Sequence, residues 1–85
     1  MAERRVSVVS EVGLHARPAA TFVQTAAKAP FDVTVAKAGG SPVSAKSILS
    51  VLALDVRQGE SIVISAEGEG ADEVLDRLAE IAAAS

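Results

Sequence analysis

Hydrophobic residues in this chain follow two different periods in alternation, and no other feature constrains the fold as strongly. In segment 31–37, apolar side chains recur at every second position, as in a β-strand with one buried face, and segment 61–66 is the clearest strand in the sequence. In segment 71–84 they recur every three or four residues, as in a helix with one apolar side. Elements of these two kinds bury their apolar faces by packing against each other. An α+β fold is therefore predicted.

Seven elements are predicted in the order strand, helix, strand, strand, helix, strand, helix. The strands are placed at residues 4–9, 31–37, 41–43 and 61–66, and the helices at 16–28, 47–54 and 71–84. Each helix that connects two strands is expected to cover the same face of the sheet. The predicted architecture is an open-faced sandwich, a mainly antiparallel four-stranded sheet with the helices on one face, whose strand order is left open.

Length and composition narrow the classes of function. With 85 residues, only two of them aromatic, the chain is expected to form one domain (1–85) with a core of small aliphatic side chains. The net charge of −3 and the scarcity of aromatics argue against nucleic-acid binding. No apolar run reaches the ~20 residues of a membrane span, and no signal-type segment is present, so a cytoplasmic protein is expected.

The segment Gly13–Ala19 carries the strongest chemical signal. It places the single histidine, His15, directly before a predicted helix that has Pro18 in its first turn. The free backbone N–H groups of Ala16 and Arg17 and the positive end of the helix dipole favour an anion such as phosphate there. Arg17 adds a guanidinium group that suits phosphate oxygens. A nucleophilic imidazole at an anion site is what reversible phosphorylation of a histidine requires.

Other functions for His15 are weaker but stay open. A lone histidine is often a surface or capping residue, as in a noncatalytic regulatory or ligand-binding module of ferredoxin-like type. A metal site is not expected, because the chain has no cysteine and no second histidine, and no cofactor is expected either. A self-contained enzyme is also not expected, since a chain of this size leaves little room for a deep substrate pocket.

Ser47 and the apolar residues after it form a second candidate region. Ser47 is predicted to cap the short helix, and a phosphate on its hydroxyl would also suit that position. The helix has more aliphatic residues than one buried face needs, so part of it is expected to form an apolar docking patch for a partner protein. The candidate docking residues are Ile48, Leu49, Val51 and Leu52.

Two motifs, Gly13–Ala19 and Ser44–Leu49, together with the turn at Gly59 and the order of elements, resemble the HPr family. These proteins are histidine-containing phosphocarriers of the bacterial phosphoenolpyruvate:sugar phosphotransferase system. The resemblance covers essentially the whole chain. It implies the fold predicted above, with a four-stranded antiparallel sheet and three helices on one face.

The resemblance also implies roles and partners. His15 corresponds to the histidine that accepts a phosphoryl group on Nδ1 from phosphorylated enzyme I and donates it to sugar-specific IIA domains. Arg17 corresponds to the arginine that assists near the phosphoryl group. Ser47 corresponds to a serine that an ATP-dependent kinase modifies in some lineages, so a seryl kinase/phosphorylase is a further candidate partner. The protein is expected to act as a monomer and as a carrier, not as an enzyme with its own turnover.

Two positions depart from the family pattern. Asp55 stands where many relatives have glycine after the short helix, so a different loop shape is expected there. Val12 stands where many relatives have a polar residue, which would remove a side-chain hydrogen bond near the active loop. A third function, a regulator whose main modification is at Ser47, also stays open.

Overall fold

The computed structural model describes residues 2–9 and 16–84 and contains the seven predicted elements in the predicted order. The strands are β1 (Ala2–Ser7), β2 (Val33–Lys37), β3 (Val43–Ser44) and β4 (Ser61–Ala66). The helices are α1 (Ala16–Ala27), α2 (Ile48–Ala53) and α3 (Ala71–Ala84). The strands form one antiparallel sheet in the order β1-β4-β2-β3, which the sequence had left open.

The first strand lies two residues earlier than its hydrophobic pattern predicted. Ala2 pairs with Ala66 and Ser7 pairs with Ser61, so the ladder with β4 ends before Val8. Val8 is nevertheless fully buried, and its N–H donates to the Glu60 carbonyl over 2.9 Å. The apolar pattern therefore located the buried residue correctly but not the end of the strand.

One face of the sheet packs against the core. Along β4, Ile62, Ile64 and Ala66 are buried, while the residues between them remain partly accessible. The helices contribute buried side chains to the same cluster, namely Ala19, Phe22, Ala26, Val51, Leu75, Leu78 and Ala82. The sheet therefore has one face in the core, as the open-faced sandwich requires. This confirms the predicted fold class.

The end of α1 differs from the prediction in one respect. The helix was predicted to reach residue 28, but Ala27 is already exposed, and Ala29, which lies beyond the helix, is buried with Phe22 and Ala26. The helix ends at Ala27, and the N–H of Ala29 donates to the Ala26 carbonyl over 3.1 Å. The chain thus leaves the helical path before Pro30 and turns Ala29 into the core.

Gly68 fills a position where a side chain does not fit. Its φ is +151°, and a Cβ at this position would lie 2.6 Å from Cδ2 of Phe31. The Phe31 ring, which packs against the core, therefore lies directly against the backbone of the turn that leads into α3. The absence of a side chain at Gly68 permits this close approach.

Candidate functional site

Helix α1 begins at Ala16, so the predicted helix start directly after His15 is confirmed. The N–H groups of Ala16 and Arg17 belong to the first turn and have no acceptor within the helix. No acidic residue lies in that turn to offset the positive end of the helix dipole. Ala19, in the same turn, is fully buried and anchors the start of the helix in the core.

His15 itself lies outside the described residues, and so do Val12 and the side chain of Arg17. The roles predicted for these side chains therefore remain predictions. The described residues define the backbone on both sides of the segment, at Val9 and at Ala16.

Loop 55–60 holds the chain on the N-terminal side of this segment. The N–H of Gly59 donates to the Val8 carbonyl over 2.8 Å, and Nε2 of Gln58 donates to the Val9 carbonyl over 3.2 Å. Val9 itself is 62% exposed, so these hydrogen bonds, rather than burial of its side chain, position it. The sequence pattern did not indicate Gln58, because its partner lies 49 residues away in the chain.

Ser47 caps α2 as predicted. Its backbone is extended, with φ −112° and ψ 115°, and its Oγ accepts a hydrogen bond from the N–H of Ser50 over 3.3 Å. The side chain thereby satisfies one N–H of the first turn, which has no acceptor within the helix. Phosphorylation of Ser47 is not tested by this geometry and stays a prediction.

The candidate docking residues on α2 divide into two groups. Leu49 is 78% exposed, and Ile48 and Leu52 are 36% and 37% exposed. Val51 is only 1% exposed and belongs to the core cluster, so its prediction as a docking residue was wrong. A six-residue helix needs at least one apolar anchor, and Val51 lies on the side that faces the core. The exposed apolar surface of α2 therefore consists of Ile48, Leu49 and Leu52.

Asp55 adopts the left-handed backbone conformation that glycine adopts most easily, with φ 51°. It is the only described residue other than glycine with a positive φ. Its N–H donates to the Leu52 carbonyl over 3.1 Å and closes the end of α2. Asp and Asn tolerate this conformation better than most residues. The aspartate therefore takes up a glycine-like backbone, and the departure from the family pattern does not remove this turn.

Charged groups brace loop 55–60. Nε and Nη2 of Arg57 both donate to Oδ2 of Asp55, over 3.2 and 2.9 Å, and this hydrogen bonding lowers the pKa of Asp55. Oε1 of Glu60 accepts from the N–H of Arg57 over 2.8 Å and lies 3.2 Å from Nζ of Lys37. The backbone hydrogen bond, followed by the contact with Lys37, lowers the pKa of Glu60. Both carboxylates therefore stabilise the loop in their ionised form.

A lysine contact joins the segment before α2 to the segment after α1. Nζ of Lys46, the residue before the Ser47 cap, donates to the Ala29 carbonyl over 2.8 Å in a partly buried position. This contact connects the beginning of α2 to the chain just after α1. Neither hydrophobic period nor spacing indicated it, since it depends on how the two helices pack.

The described part of the chain contains neither a cluster of metal ligands nor a helix that could cross a membrane. Within residues 2–9 and 16–84, no three histidine, cysteine, aspartate or glutamate side chains cluster as metal ligands. The helices of that same part are all too short or too polar to cross a membrane.

Comparison with known proteins supports the resemblance seen in the motifs. The family model for the PTS HPr component phosphorylation site matches residues 2–84. A phosphocarrier protein HPr from Streptomyces coelicolor is 53% identical over 83 residues, which cover 98% of this chain and 89% of the relative.

Solved structures share the fold. The crystal structure of a phosphocarrier protein HPr from Bacillus anthracis matches with a TM-score of 0.86 and 41% identity, covering 95% of each chain. An HPr dimer from Thermoanaerobacter tengcongensis matches with a TM-score of 0.71 and 41% identity, covering 95% of this chain and 92% of the other. The similarity therefore extends over the whole sheet and its three helices.

Proposed function

The chain belongs to the HPr family of phosphocarrier proteins, whose function is to carry phosphoryl groups in the phosphotransferase system, and from this premise we propose that His15 is the carrier residue. Nδ1 of His15 accepts the phosphoryl group from phosphorylated enzyme I. The new N–P bond forms as the bond to the donor breaks. The phosphohistidine then passes its phosphoryl group to a sugar-specific IIA domain, and His15 is free again.

The observation that carries this proposal is the start of α1 directly after His15. The unpaired N–H groups of Ala16 and Arg17 point out of the helix end, and no carboxylate in the first turn competes for them. A phosphoryl group on the preceding residue therefore gains hydrogen-bond donors and a favourable dipole. Arg17 supplies the positive charge that phosphoryl transfer requires as charge builds up on the oxygens.

The partners complete the site. Phosphoryl transfer depends mainly on positioning and charge stabilisation, and two proteins docked together can supply both. We place enzyme I and the IIA domains on the exposed surface of α2, formed by Ile48, Leu49 and Leu52. The protein therefore acts as a carrier without turnover of its own. It needs no cofactor, and it works in the cytoplasm as a monomer, in contrast to the dimer of the Thermoanaerobacter relative.

The proposal is tested by phosphorylation with radiolabelled phosphoenolpyruvate and purified enzyme I. We expect label that is labile in acid and stable in base, and that His15→Ala abolishes. A noncatalytic module in which His15 only caps a helix would take up no label. Full labelling of the His15→Ala variant would contradict the assignment.

The role of Arg17 needs a separate variant. We expect Arg17→Ala to slow phosphoryl transfer while the thermal unfolding temperature stays near that of the wild type, because alanine is also a good residue for the first turn of a helix. Rapid-quench measurement of transfer to a IIA domain gives the rate. An unchanged rate would remove Arg17 from the mechanism.

A second candidate function is regulation through Ser47. The cap geometry favours it, because a phosphate there lies at the positive end of α2 and adds negative charge beside the docking surface. The protein would then be a substrate of a seryl kinase/phosphorylase. Incubation with ATP and such a kinase is expected to give acid-stable label that Ser47→Ala abolishes, and a slower transfer to His15. Absence of that label would leave Ser47 with its capping role alone.

A further inference from the structure

The attachment of α2 to the rest of the molecule is sparse. Among its six residues only Val51 is buried. On the N-terminal side of α2, the fully buried Ala45 donates its N–H to the Val33 carbonyl over 2.8 Å. This bond attaches the segment before the helix to β2. Short helices depend on tertiary packing for their stability. A helix with a single buried anchor is free to shift unless further contacts hold it.

Lys46 provides such a contact. Its side chain reaches the Ala29 carbonyl, 17 residues earlier in the chain, with a hydrogen bond of 2.8 Å in a partly buried position. Ala29 is itself 6% exposed and therefore fixed in the core. The other end of Lys46 is fixed as well, since its N–H donates to Oγ of Ser44 over 3.2 Å. The lysine is thus held at both ends between two fixed points.

We propose that Lys46 is a positioning residue for partner docking, because its bond to Ala29 fixes the exposed surface of α2 relative to α1. The proposal rests on the proposed function, in which a partner engages both helices at once. A partner that contacts both Leu49 on α2 and the start of α1 binds best at one distance between these two surfaces. Loss of the lysine contact changes that distance without removing any group that the partner touches.

Three variants separate this positioning role from a simple effect of charge. Lys46→Met keeps the apolar stem but leaves the Ala29 carbonyl without its donor. Lys46→Arg keeps both the charge and a donor. Lys28→Met is the matched control, because it removes one positive charge next to Ala29 from a side chain that is exposed and has no hydrogen bond or ion pair with other described residues.

Binding of each variant to enzyme I is measured by titration calorimetry at low and at high salt. We expect Lys46→Met to raise Kd about five- to tenfold, within the range for loss of one typical intramolecular hydrogen bond, and Lys46→Arg to recover most of the affinity. The ratio of variant to wild-type Kd should be the same at both salt concentrations. Any loss of affinity in Lys28→Met should disappear at high salt, since salt screens the interactions of exposed charges.

Two results would overturn the proposal. An unchanged Kd for Lys46→Met excludes a positioning role, and a ratio that falls to one at high salt assigns Lys46 to a direct charge contact. Amide hydrogen exchange provides a readout that does not depend on enzyme I. Exchange at Val51 and Leu54 should accelerate in Lys46→Met more than in Lys28→Met.

The exchange measurement also separates the two proposals. If the wild-type protein fails to bind enzyme I, the proposed function fails. The attachment of α2 by Lys46 is then decided by exchange alone, and equal rates in the two variants would refute it.

Discussion

The α3 side of the molecule, made of α3 and β1, differs sharply from the side formed by the start of α1 and by α2. Helix α3 has 14 residues and buries Leu75, Leu78 and Ala82 completely. Its first turn contains Asp72 and Glu73, which complement the positive end of its dipole. The start of α1 has no acidic residue, and α2 leaves three of its apolar side chains accessible.

Ion pairs reinforce the α3 side. Arg4 of β1 donates from Nε to Asp76 over 2.9 Å and from Nη2 to Asp72 over 3.1 Å. The hydrogen bond to Asp76, followed by that to Asp72, raises the pKa of Arg4. On this side the apolar face of α3 is buried in the core, and Arg4 pairs with two of the carboxylates of α3. On the α1–α2 side three large apolar side chains of α2 remain accessible, which is the contrast expected if that side serves the docking and phosphoryl transfer proposed above.

Truncation of one leucine on each side should give the largest difference in the free energy of unfolding. Leu78→Ala should lower the free energy of unfolding by about 2–5 kcal/mol, because it removes a fully buried side chain and leaves a cavity. Leu49→Ala, the matched change on α2, should alter it by less than about 0.5 kcal/mol, since Leu49 is 78% exposed. Urea unfolding of both variants makes the comparison. Equal losses of stability would show that the two sides do not differ as described.

Substitution of Gly68 in the turn before α3 should destabilise the protein nearly as much. Gly68→Ala forces a Cβ against the Phe31 ring and should destabilise the protein by about 1–3 kcal/mol. Gly39→Ala is the control, because Gly39 also has a positive φ but no atom near the added Cβ. Its cost should come from backbone strain alone, about 1 kcal/mol. Thermal unfolding of the two variants gives the difference, and a larger loss at Gly39 would be inconsistent with the close contact at Phe31.

A docking assay tests the α1–α2 side of the molecule. Leu49→Ala should raise the KM for the protein as a substrate of enzyme I about fivefold, corresponding to ~1 kcal/mol of lost apolar contact. The maximal rate should change little, since Leu49 does not take part in the chemistry. Val63→Ala, on the sheet, is the control for removal of an accessible apolar side chain. The same rise in KM in both variants would argue against α2 as the docking surface.

The smallest effect is expected in the acid range. The pKa values of Asp55 and Glu60 lie below their ordinary values of 3.8 and 4.5, so both groups stabilise the fold when ionised. This contribution is present above those ordinary values and is lost as the pH falls through the lowered pKa values.

Glu60→Gln should therefore flatten the decline of the unfolding temperature in that acid range. Glu67→Gln, which removes an exposed carboxylate that has no ion pair within the described residues, should leave the decline unchanged. If the unfolding temperature declined identically in wild type and Glu60→Gln as the pH fell, ionised Glu60 would not stabilise the loop.

The sequence predicted the fold well where periodicity is strong. The alternation in β2 and the helical period of α3 follow directly from which side chains face the core. The end of β1 was misplaced, because Val8 is buried in the core beyond the end of the strand ladder, where its backbone bonds to loop 55–60. Strand order depends on pairing between distant segments, which no local period records.

The local features of the candidate site were predicted, but its contacts between distant segments were not. The start of α1 and the cap at Ser47 follow from local rules of helix ends and were predicted. The burial of Val51 was not, because a short helix rich in aliphatic residues does not reveal which of them face the core. The contacts of Lys46 and Gln58 were also missed, since each depends on a backbone carbonyl far away in the chain.

Peptide mapping after phosphorylation tests the central claim most directly. The protein is incubated with phosphoenolpyruvate and enzyme I, digested under alkaline conditions that preserve phosphohistidine, and analysed by mass spectrometry. The account predicts one phosphoryl group per chain, found on the peptide that contains His15, and its quantitative removal when a IIA domain is added. A phosphoryl group on any other residue, or an unmodified His15 peptide in a protein that still supports transfer, would contradict it.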